Sequence, residues 1–272
     1  MNNTYKSLFV DSKLKSYQHD LLGIYNWRRP GNLTDYFEIL YKLKELNEDY
    51  SILEFGVHQG RSLIASALFL KSLNQNPLIY GYDSWEGFPK DSYHHFDGDL
   101  GWDYLLEKGS IDNEFLKEKA LWDKYTLISK GSGFKKLDAS NISSSGDFSN
   151  TSLEIIKNKA KELDLENIRY IQGDLRISLK NKKNLPNKRI GAILIDCDLY
   201  LAYKSILNTF WPIIDSKTSI YLDEYFSFKF PGARIATDEF LDTLEKDSYK
   251  LYKVSNNGDF ERYVLKKIKI NI

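Results

Sequence analysis

The chain has 272 residues, of which 42% are apolar, so it can bury one large core with a small insertion, and we expect a single domain over residues 1–272. Lysine plus arginine and aspartate plus glutamate are equal at 38 each, so no overall field attracts nucleic acid or an anionic membrane, and a small-molecule or sugar-like partner fits better. Cys197 is the only cysteine, and the sequence shows neither a signal peptide nor a membrane-spanning stretch, which together predict a cytoplasmic protein without disulfides, cysteine-based zinc clusters or membrane insertion.

The first residues, to about 48, predict a helical cap ahead of the sheet. Residues 25–31 are typical of a loop, and a helix capped near Asn32 or Thr34 follows, with Phe37, Leu40 and Leu43 at helical spacing. The opening segment could cover a binding site or form an arm of a homo-oligomer. The pattern does not choose between these two roles.

The stretch 52–62 predicts a strand, a glycine turn and a helix. Ser51 to Phe55 form a buried strand, Gly56 and Gly60 leave room for a ligand against bare backbone, and Ser62 can cap a helix beginning at Leu63. Such a turn at the carboxyl edge of a parallel sheet is a ready ligand site. On its own it is equally typical of an ordinary crossover.

A second strand, residues 78–82, ends at Asp83 and Ser84. An acid at this place in a doubly wound sheet can accept hydrogen bonds from both ribose hydroxyls of an adenosine cofactor. The alternative is that Asp83 only forms the turn together with Ser84.

Residues 90–150 are the least regular part of the chain and include His94 and His95. Long irregular segments between sheet elements are more often functional lids than plain loops. We therefore expect a mobile cover over an acceptor site, with a helix near residues 113–124.

The remaining strands also end in acidic residues. The predicted strands are 168–172, ending in Gly173-Asp174, then 190–195, ending in Asp196, then 219–222, ending in Asp223-Glu224, and finally a hairpin of 249–255 and 260–266 around 256–259. Five crossover-linked strands closed by an antiparallel hairpin make an α/β, doubly wound, mostly parallel seven-stranded sheet. This topology resembles the Rossmann-like class I S-adenosylmethionine-dependent methyltransferases.

The turn residues favour a methyl donor over a dinucleotide. A dinucleotide fingerprint would carry glycines two and five residues after Gly56, where this chain has His58 and Arg61. S-adenosylmethionine has no phosphate, so a looser turn is sufficient, with His58 as a cofactor neighbour. The predicted cofactor-binding residues are Glu54, Gly56, Gly60, Ser62, Asp83, Ser84 and Asp174.

The acids after the fourth and fifth strands predict a metal site. Asp196 and Asp198 follow one strand and Asp223 and Glu224 follow the next, so all can converge on one edge of the sheet. Clustered carboxylates repel one another, and a hard divalent cation such as Mg²⁺ relieves that repulsion. The alternative is that some of these acids, Asp198 above all, only cap the following helices.

Several segments together resemble the macrocin O-methyltransferase family. They are Glu54-x-Gly56-Val57-x-x-Gly60-x-Ser62, the segment from Tyr82 to Pro89 (Tyr-Asp-Ser-Trp-Glu-Gly-Phe-Pro), Asp196-Cys-Asp198-Leu-Tyr200, Asp223-Glu-Tyr225 and Gly232-Ala233-Arg234. The resemblance implies methylation of a sugar hydroxyl on a natural product, a divalent metal at Asp196, Asp223 and Glu224, and the cofactor around Glu54, Gly56, Asp83 and Asp174. The chain departs from the family at Glu224, where an aspartate is usual, and at residues 201–203.

We expect an S-adenosylmethionine-dependent O-methyltransferase that is assisted by Mg²⁺. Its acceptor would be a hydroxyl of a sugar or glycosylated small molecule, such as a natural product or a surface polysaccharide precursor. Asp196, His94 and His95 are the candidate catalytic residues, since an imidazole titrates near neutrality and can remove the hydroxyl proton. The alternative is that both histidines are exposed loop residues. The alternative functions are an NAD-dependent sugar dehydrogenase or epimerase, and a cofactor-binding protein without catalysis.

Overall fold

A computed structural model describes residues 12–45, 49–131, 133–138, 140–254 and 261–268. Seven strands in this described part form one sheet: Tyr50–Phe55 (β1), Leu78–Asp83 (β2), Ile168–Gln172 (β3), Arg189–Ile195 (β4), Ser219–Phe226 (β5), Tyr249–Lys253 (β6) and Glu261–Lys267 (β7). Their order is β3-β2-β1-β4-β5-β7-β6, and β7 runs antiparallel to both of its neighbours. The mostly parallel seven-stranded sheet with a C-terminal antiparallel hairpin is confirmed. The predicted hairpin turn at 256–259 lies outside the described residues.

Helices cover both faces of the sheet. They are Ser16–Leu22 (α1), Thr34–Lys42 (α2), Arg61–Ser72 (α3), Asp99–Glu107 (α4), Asn113–Lys130 (α5), Leu153–Glu162 (α6), Leu175–Ser178 (α7), Tyr200–Phe210 (α8) and Gly232–Asp242 (α9). Successive residues of a strand point to opposite faces, so Ile52 of β1 joins a core beneath α2, α3 and α6, while Leu53 joins the core beneath α4, α8 and α9. Two cores, one on each face, hold the sheet edge in place.

The strand register brings the predicted site residues to one edge. Phe55 of β1 pairs with Ile195 of β4, and Ile195 pairs with Leu222 of β5. The residues that follow these three, Gly56, Asp196 and Asp223, therefore lie side by side. β5 continues to Phe226 instead of ending at Leu222, because β7 pairs with it as far as Phe226.

The N-terminal segment packs on the sheet as part of the core. Trp27, Tyr36 and Phe37 are fully buried there. Residues 1–11 and 46–48 of the expected cap lie outside the described part of the chain. Helix α2 begins at Thr34, but its N-cap residue is Leu33 and has no side-chain capping bond.

The expected lid, residues 90–150, divides into parts with different roles. Trp102 and Leu105 of α4 are buried in the main core, whereas α5 runs on to Lys130 and buries no residue. The segment is therefore not one detachable cover. Among the described residues, no helix combines the length and apolarity needed to cross a membrane.

Candidate functional site

Two adjoining cavities open at the carboxyl edge of the sheet. The turn cavity, about 250 Å³, lies between the turn after β1, the end of β2 and residues 173–176, and Tyr25 and Asn32 of the N-terminal segment also line it. The acidic cavity, about 480 Å³, is lined by Asn32, Ser143, Ser144, Ser145, Phe148, Asp196, Asp198, Asp223, Glu224, Lys229 and Arg262. Asp196 and Asp198 line both cavities. A ligand in one cavity can therefore meet a ligand in the other at these two residues.

Glycine at position 56 lets the first turn pass against β4. Its φ is +85°, and a Cβ there would lie 1.7 Å from the carbonyl oxygen of Asp196. Gly60 also has a positive φ, +77°, and is the N-cap residue of α3. The helix therefore begins at Arg61. The prediction that Ser62 caps it is wrong.

Asp83 holds this turn through backbone hydrogen bonds. Its Oδ2 accepts from the N–H groups of Val57 at 2.7 Å and His58 at 2.8 Å, and its Oδ1 accepts from the N–H of Trp85 at 2.7 Å. Asp83 and Ser84 both line the turn cavity. Asp83 thus stabilises the turn, which was one of the two interpretations of this residue. Its contact with a ribose stays a prediction.

Glu54 lies behind the turn and does not line the turn cavity. Its side chain is fully buried, and its Oε1 accepts a 2.6 Å hydrogen bond from the hydroxyl of Ser62, which does line the cavity. Burial raises the pKa of the Glu54 carboxyl well above its usual value, and the charges of Asp196 and Asp83 raise it further. Glu54 therefore supports the cavity wall from behind.

Asp174 lines the turn cavity at the end of β3. It is the N-cap residue of α7, where its Oδ1 accepts from the N–H of Arg176 at 2.8 Å. The Arg176 guanidinium also forms an ion pair with it at 2.5 Å and donates to the carbonyl oxygen of Asp91 at 2.6 Å. The Asp174 carboxylate is thereby held rigidly at the cavity wall.

The three predicted metal ligands do converge. Asp196, Asp223 and Glu224 each offer an oxygen, and these oxygens lie within 4.8 Å of one another. Asp223 forms a buried ion pair with Arg262, and Oε2 of Glu224 accepts a 2.6 Å hydrogen bond from the hydroxyl of Tyr203.

The cluster carries more negative charge than its burial favours. Burial raises the pKa of Asp196 to about 7, with a further contribution from the charge of Asp223. Burial and then the charge of Asp196 raise the pKa of Glu224 well above its usual value. Carboxylate oxygens at this spacing fit a hard divalent cation, which would relieve the repulsion.

Asp198 is not a helix cap, contrary to one of the two expectations for it. The N-cap residue of α8 is Leu199, and the N–H of Tyr200 donates instead to Oδ1 of Asp97 at 2.8 Å. Asp198 has a positive φ of +62°, and its side chain is buried where the two cavities meet. Burial, and next the charge of Asp196, raise its pKa to about 8.

The structure does not bring His94 and His95 to either cavity. The ring of His94 stacks on that of Tyr200, with centroids 4.4 Å apart, and lies tilted against that of His95, with centroids 3.9 Å apart. The neighbouring Asp97 accepts from the N–H of Tyr200 at the start of α8, and neither histidine lines either cavity. His58 does line the turn cavity, and its Nε2 lies 2.7 Å from Oδ1 of Asn150.

Several site residues have no signal in the sequence. Tyr203 reads as an ordinary apolar-face residue of α8, and Arg262 reads as a polar residue of a hairpin strand. Lys229 and Ser143 to Ser145 lie in loops, where no periodicity predicts which way a side chain points. The hairpin strands also contain Lys250, Lys266 and Lys267, so the sequence does not single out Arg262.

The comparisons with known proteins agree with this geometry. The family described as "Methyltransferase domain" matches residues 53–225. No curated protein matches the chain significantly. Among solved structures, the O-methyltransferase NovP aligns with a TM-score of 0.57 and 15% identity over 87% of this chain and 79% of its own. CalS11, a calicheamicin methyltransferase, aligns with a TM-score of 0.57 and 18% identity over 93% and 80%.

Similarity at these identities shows a shared fold, and it agrees with the strand order described above. The family match covers well over half of the chain. It includes the first turn, the insertion at 90–150 and the acidic residues that end β4 and β5. The resemblance to macrocin O-methyltransferases in particular stays a prediction. The chain belongs to the methyltransferase-domain family.

Proposed function

We propose that this protein is an S-adenosylmethionine-dependent O-methyltransferase that methylates a hydroxyl of a sugar or glycosylated small molecule. The turn cavity would hold the methyl donor and the acidic cavity the acceptor. The observation that carries this proposal is that the two cavities meet at Asp196 and Asp198. A methyl group at that junction lies within reach of an acceptor hydroxyl beside two carboxylates.

The walls of the turn cavity favour S-adenosylmethionine over NAD. The first turn lacks the glycines of a dinucleotide fingerprint, and the side chains of His58 and Arg61 line the cavity instead. Two backbone N–H groups of the turn, those of Val57 and His58, already bind Asp83. The turn therefore offers little for a pyrophosphate to bind.

The lining of the acidic cavity supports a polyhydroxylated acceptor. Asn32, Lys229 and the serines at 143–145 provide hydrogen-bonding groups, and Phe148 provides an apolar surface. Two structurally similar proteins are named an O-methyltransferase and a calicheamicin methyltransferase, which is consistent with a small-molecule acceptor.

Asp198 is the best-placed base for the transfer. S-adenosylmethionine, held by the residues of the turn cavity, would supply the methyl group and leave as S-adenosylhomocysteine, and the Asp198 carboxylate would take the proton that the acceptor hydroxyl loses. Burial raises the pKa of this carboxyl to about 8, so its ionised form is a stronger base than an ordinary aspartate and becomes available as the pH rises toward 8. The two cavities position donor and acceptor for an in-line displacement.

A divalent cation would be held by Asp196, Asp223 and Glu224. When bound, it would lower the pKa of the acceptor hydroxyl. The convergence of their carboxylate oxygens supports this role. Mg²⁺ is the cation that we propose.

Methyl transfer from labelled S-adenosylmethionine to a panel of sugar nucleotides and glycosides tests the proposal. We expect transfer to at least one acceptor and a loss of about 100-fold or more in the Asp198→Asn variant, with S-adenosylhomocysteine binding unchanged. Asp103→Asn, the same change at an exposed acid on α4, is the matched control and should transfer at the wild-type rate. Full activity in Asp198→Asn would exclude Asp198 as the base. Absence of transfer to every acceptor would favour the cofactor-binding alternative.

A further inference from the structure

We infer that Arg262 is a resident cation of the acidic cavity and that it keeps the affinity of the Asp196, Asp223 and Glu224 cluster for divalent cations low. The inference rests on the metal site of the proposed function, but it does not depend on the acceptor or on methyl transfer.

The guanidinium reaches the cluster from the C-terminal hairpin. Arg262 lies on β7, and its neighbour Tyr263 pairs with Leu222, the residue before Asp223. Nε of Arg262 lies 2.6 Å from Oδ1 of Asp223, and Nη2 lies 3.5 Å from Oδ2. One guanidinium therefore faces both oxygens of a metal-ligand candidate.

The ion pair is buried at the wall of the site. The side chain of Arg262 is 4% exposed and that of Asp223 is 7% exposed, and both line the acidic cavity. An arginine keeps its charge at every pH at which a protein stays folded. Arg262 is therefore a permanent positive charge among four carboxyl groups, those of Asp196, Asp198, Asp223 and Glu224.

A divalent cation and Arg262 would compete for Asp223. A cation held by one oxygen from each cluster residue would lie only a few ångströms from the guanidinium, where two positive charges repel strongly because the surroundings are poorly solvated. It would also share Asp223 oxygens that already accept from Arg262. Removing the guanidinium charge should therefore strengthen metal binding, whereas a merely structural ion pair would leave the affinity unchanged or weaken it.

Titration with Mn²⁺, followed by calorimetry on the full chain, tests this inference. We expect the Mn²⁺ dissociation constant of Arg262→Gln to be about tenfold or more lower than that of the wild type. Asp196→Asn in the Arg262→Gln background should abolish the gain, which places the ion at the cluster. Arg189→Gln, which breaks an ion pair with Asp215 outside both cavities, should bind Mn²⁺ as the wild type does.

Arg262→Lys serves if the glutamine variant does not fold. Lysine keeps the positive charge, so the repulsion remains, but as a point charge it cannot face both oxygens of Asp223 at once. We therefore expect a gain in Mn²⁺ affinity that is smaller than in Arg262→Gln. Saturating Mn²⁺ should also raise the Tm of either Arg262 variant more than that of the wild type. Mn²⁺ affinity that is unchanged or weaker in the folded Arg262 variants would overturn the inference. If the wild type transfers methyl groups although Arg262 does not control its Mn²⁺ affinity, this inference fails and the proposed function stands.

Discussion

The hydroxyl of Tyr203 donates a 2.6 Å hydrogen bond to Oε2 of Glu224, and both side chains are buried. The same hydroxyl accepts from the N–H of Glu224 at 3.3 Å and lies 3.2 Å from the carbonyl oxygen of Ile195. Burial, followed by the charge of Glu224, raises the pKa of Tyr203 well above its usual value, which keeps the phenol protonated as a donor. Tyr203 thus ties α8 to the ends of β4 and β5 beside the acidic cavity.

Replacing Tyr203 by phenylalanine should weaken this junction. The variant leaves a buried carboxylate oxygen of Glu224 without its donor, and we expect the free energy of unfolding to fall by about 1–3 kcal/mol. Urea denaturation measures the change. Tyr125→Phe, at a tyrosine of α5 that is 61% exposed, is the control and should be nearly neutral. Equal stability of the two variants would show that the hydrogen bond contributes nothing.

Asp97 should make stability depend on pH. Burial raises the pKa of its carboxyl to about 6 from a usual 3.8. A carboxyl with a higher pKa in the folded state holds its proton more tightly there, so its contribution to stability is present at low pH and is lost as the pH rises from about 4 to 6. Since asparagine does not titrate, Asp97→Asn should lack this loss, on the order of 2–3 kcal/mol.

The measurement is the free energy of unfolding of wild type and variant across that pH range. Only the slope is diagnostic, because Asp97→Asn also loses one acceptor for the N–H groups of His94 and Tyr200 at every pH. Asp99→Asn, at a side chain that is 82% exposed, should follow the wild-type slope. Parallel curves for wild type and Asp97→Asn would contradict the prediction.

Gly56→Ala should abolish the first turn. The added Cβ would lie 1.7 Å from the carbonyl oxygen of Asp196, at a φ of +85° that only glycine adopts readily. We expect a loss of several kcal/mol of stability and no measurable binding of S-adenosylhomocysteine. Gly109→Ala is the control that measures the cost of a positive φ without a steric clash, because φ is +68° there and nothing lies within 4 Å of the new Cβ. A folded Gly56→Ala protein that still binds would contradict this role.

The positions of Asp83, Asp174, Asp196 and Asp223 follow from the sequence because strand patterns end there. Apolar runs of strand length predict the strands, and parallel strands deliver their carboxyl ends to one edge. The seven-stranded sheet and the convergence of the acids could therefore be predicted without a structure. The direction of the Glu54 side chain could not be predicted, because a side chain beside the turn can point either into the cavity or behind it.

Contacts between distant segments decide the rest of the site. Asp97 accepts a hydrogen bond from the N–H of Tyr200, 103 residues away in the sequence, and the neighbouring His94 and His95 line neither cavity. Arg262 reaches Asp223 only through the register of the hairpin. Local periodicity contains no information on such long-range pairs, so the sequence predicts neither the position of His94 and His95 nor the ion pair of Arg262 with Asp223.

Calorimetric titration of the purified protein with S-adenosylhomocysteine and, separately, with NAD tests the central claim most directly. The shape and lining of the turn cavity predict one binding site for S-adenosylhomocysteine and no binding of NAD. Asp83→Ala should weaken that binding by about tenfold or more, because it releases the N–H groups of Val57 and His58. Binding of NAD without binding of S-adenosylhomocysteine would contradict the assignment of this cavity to a methyl donor.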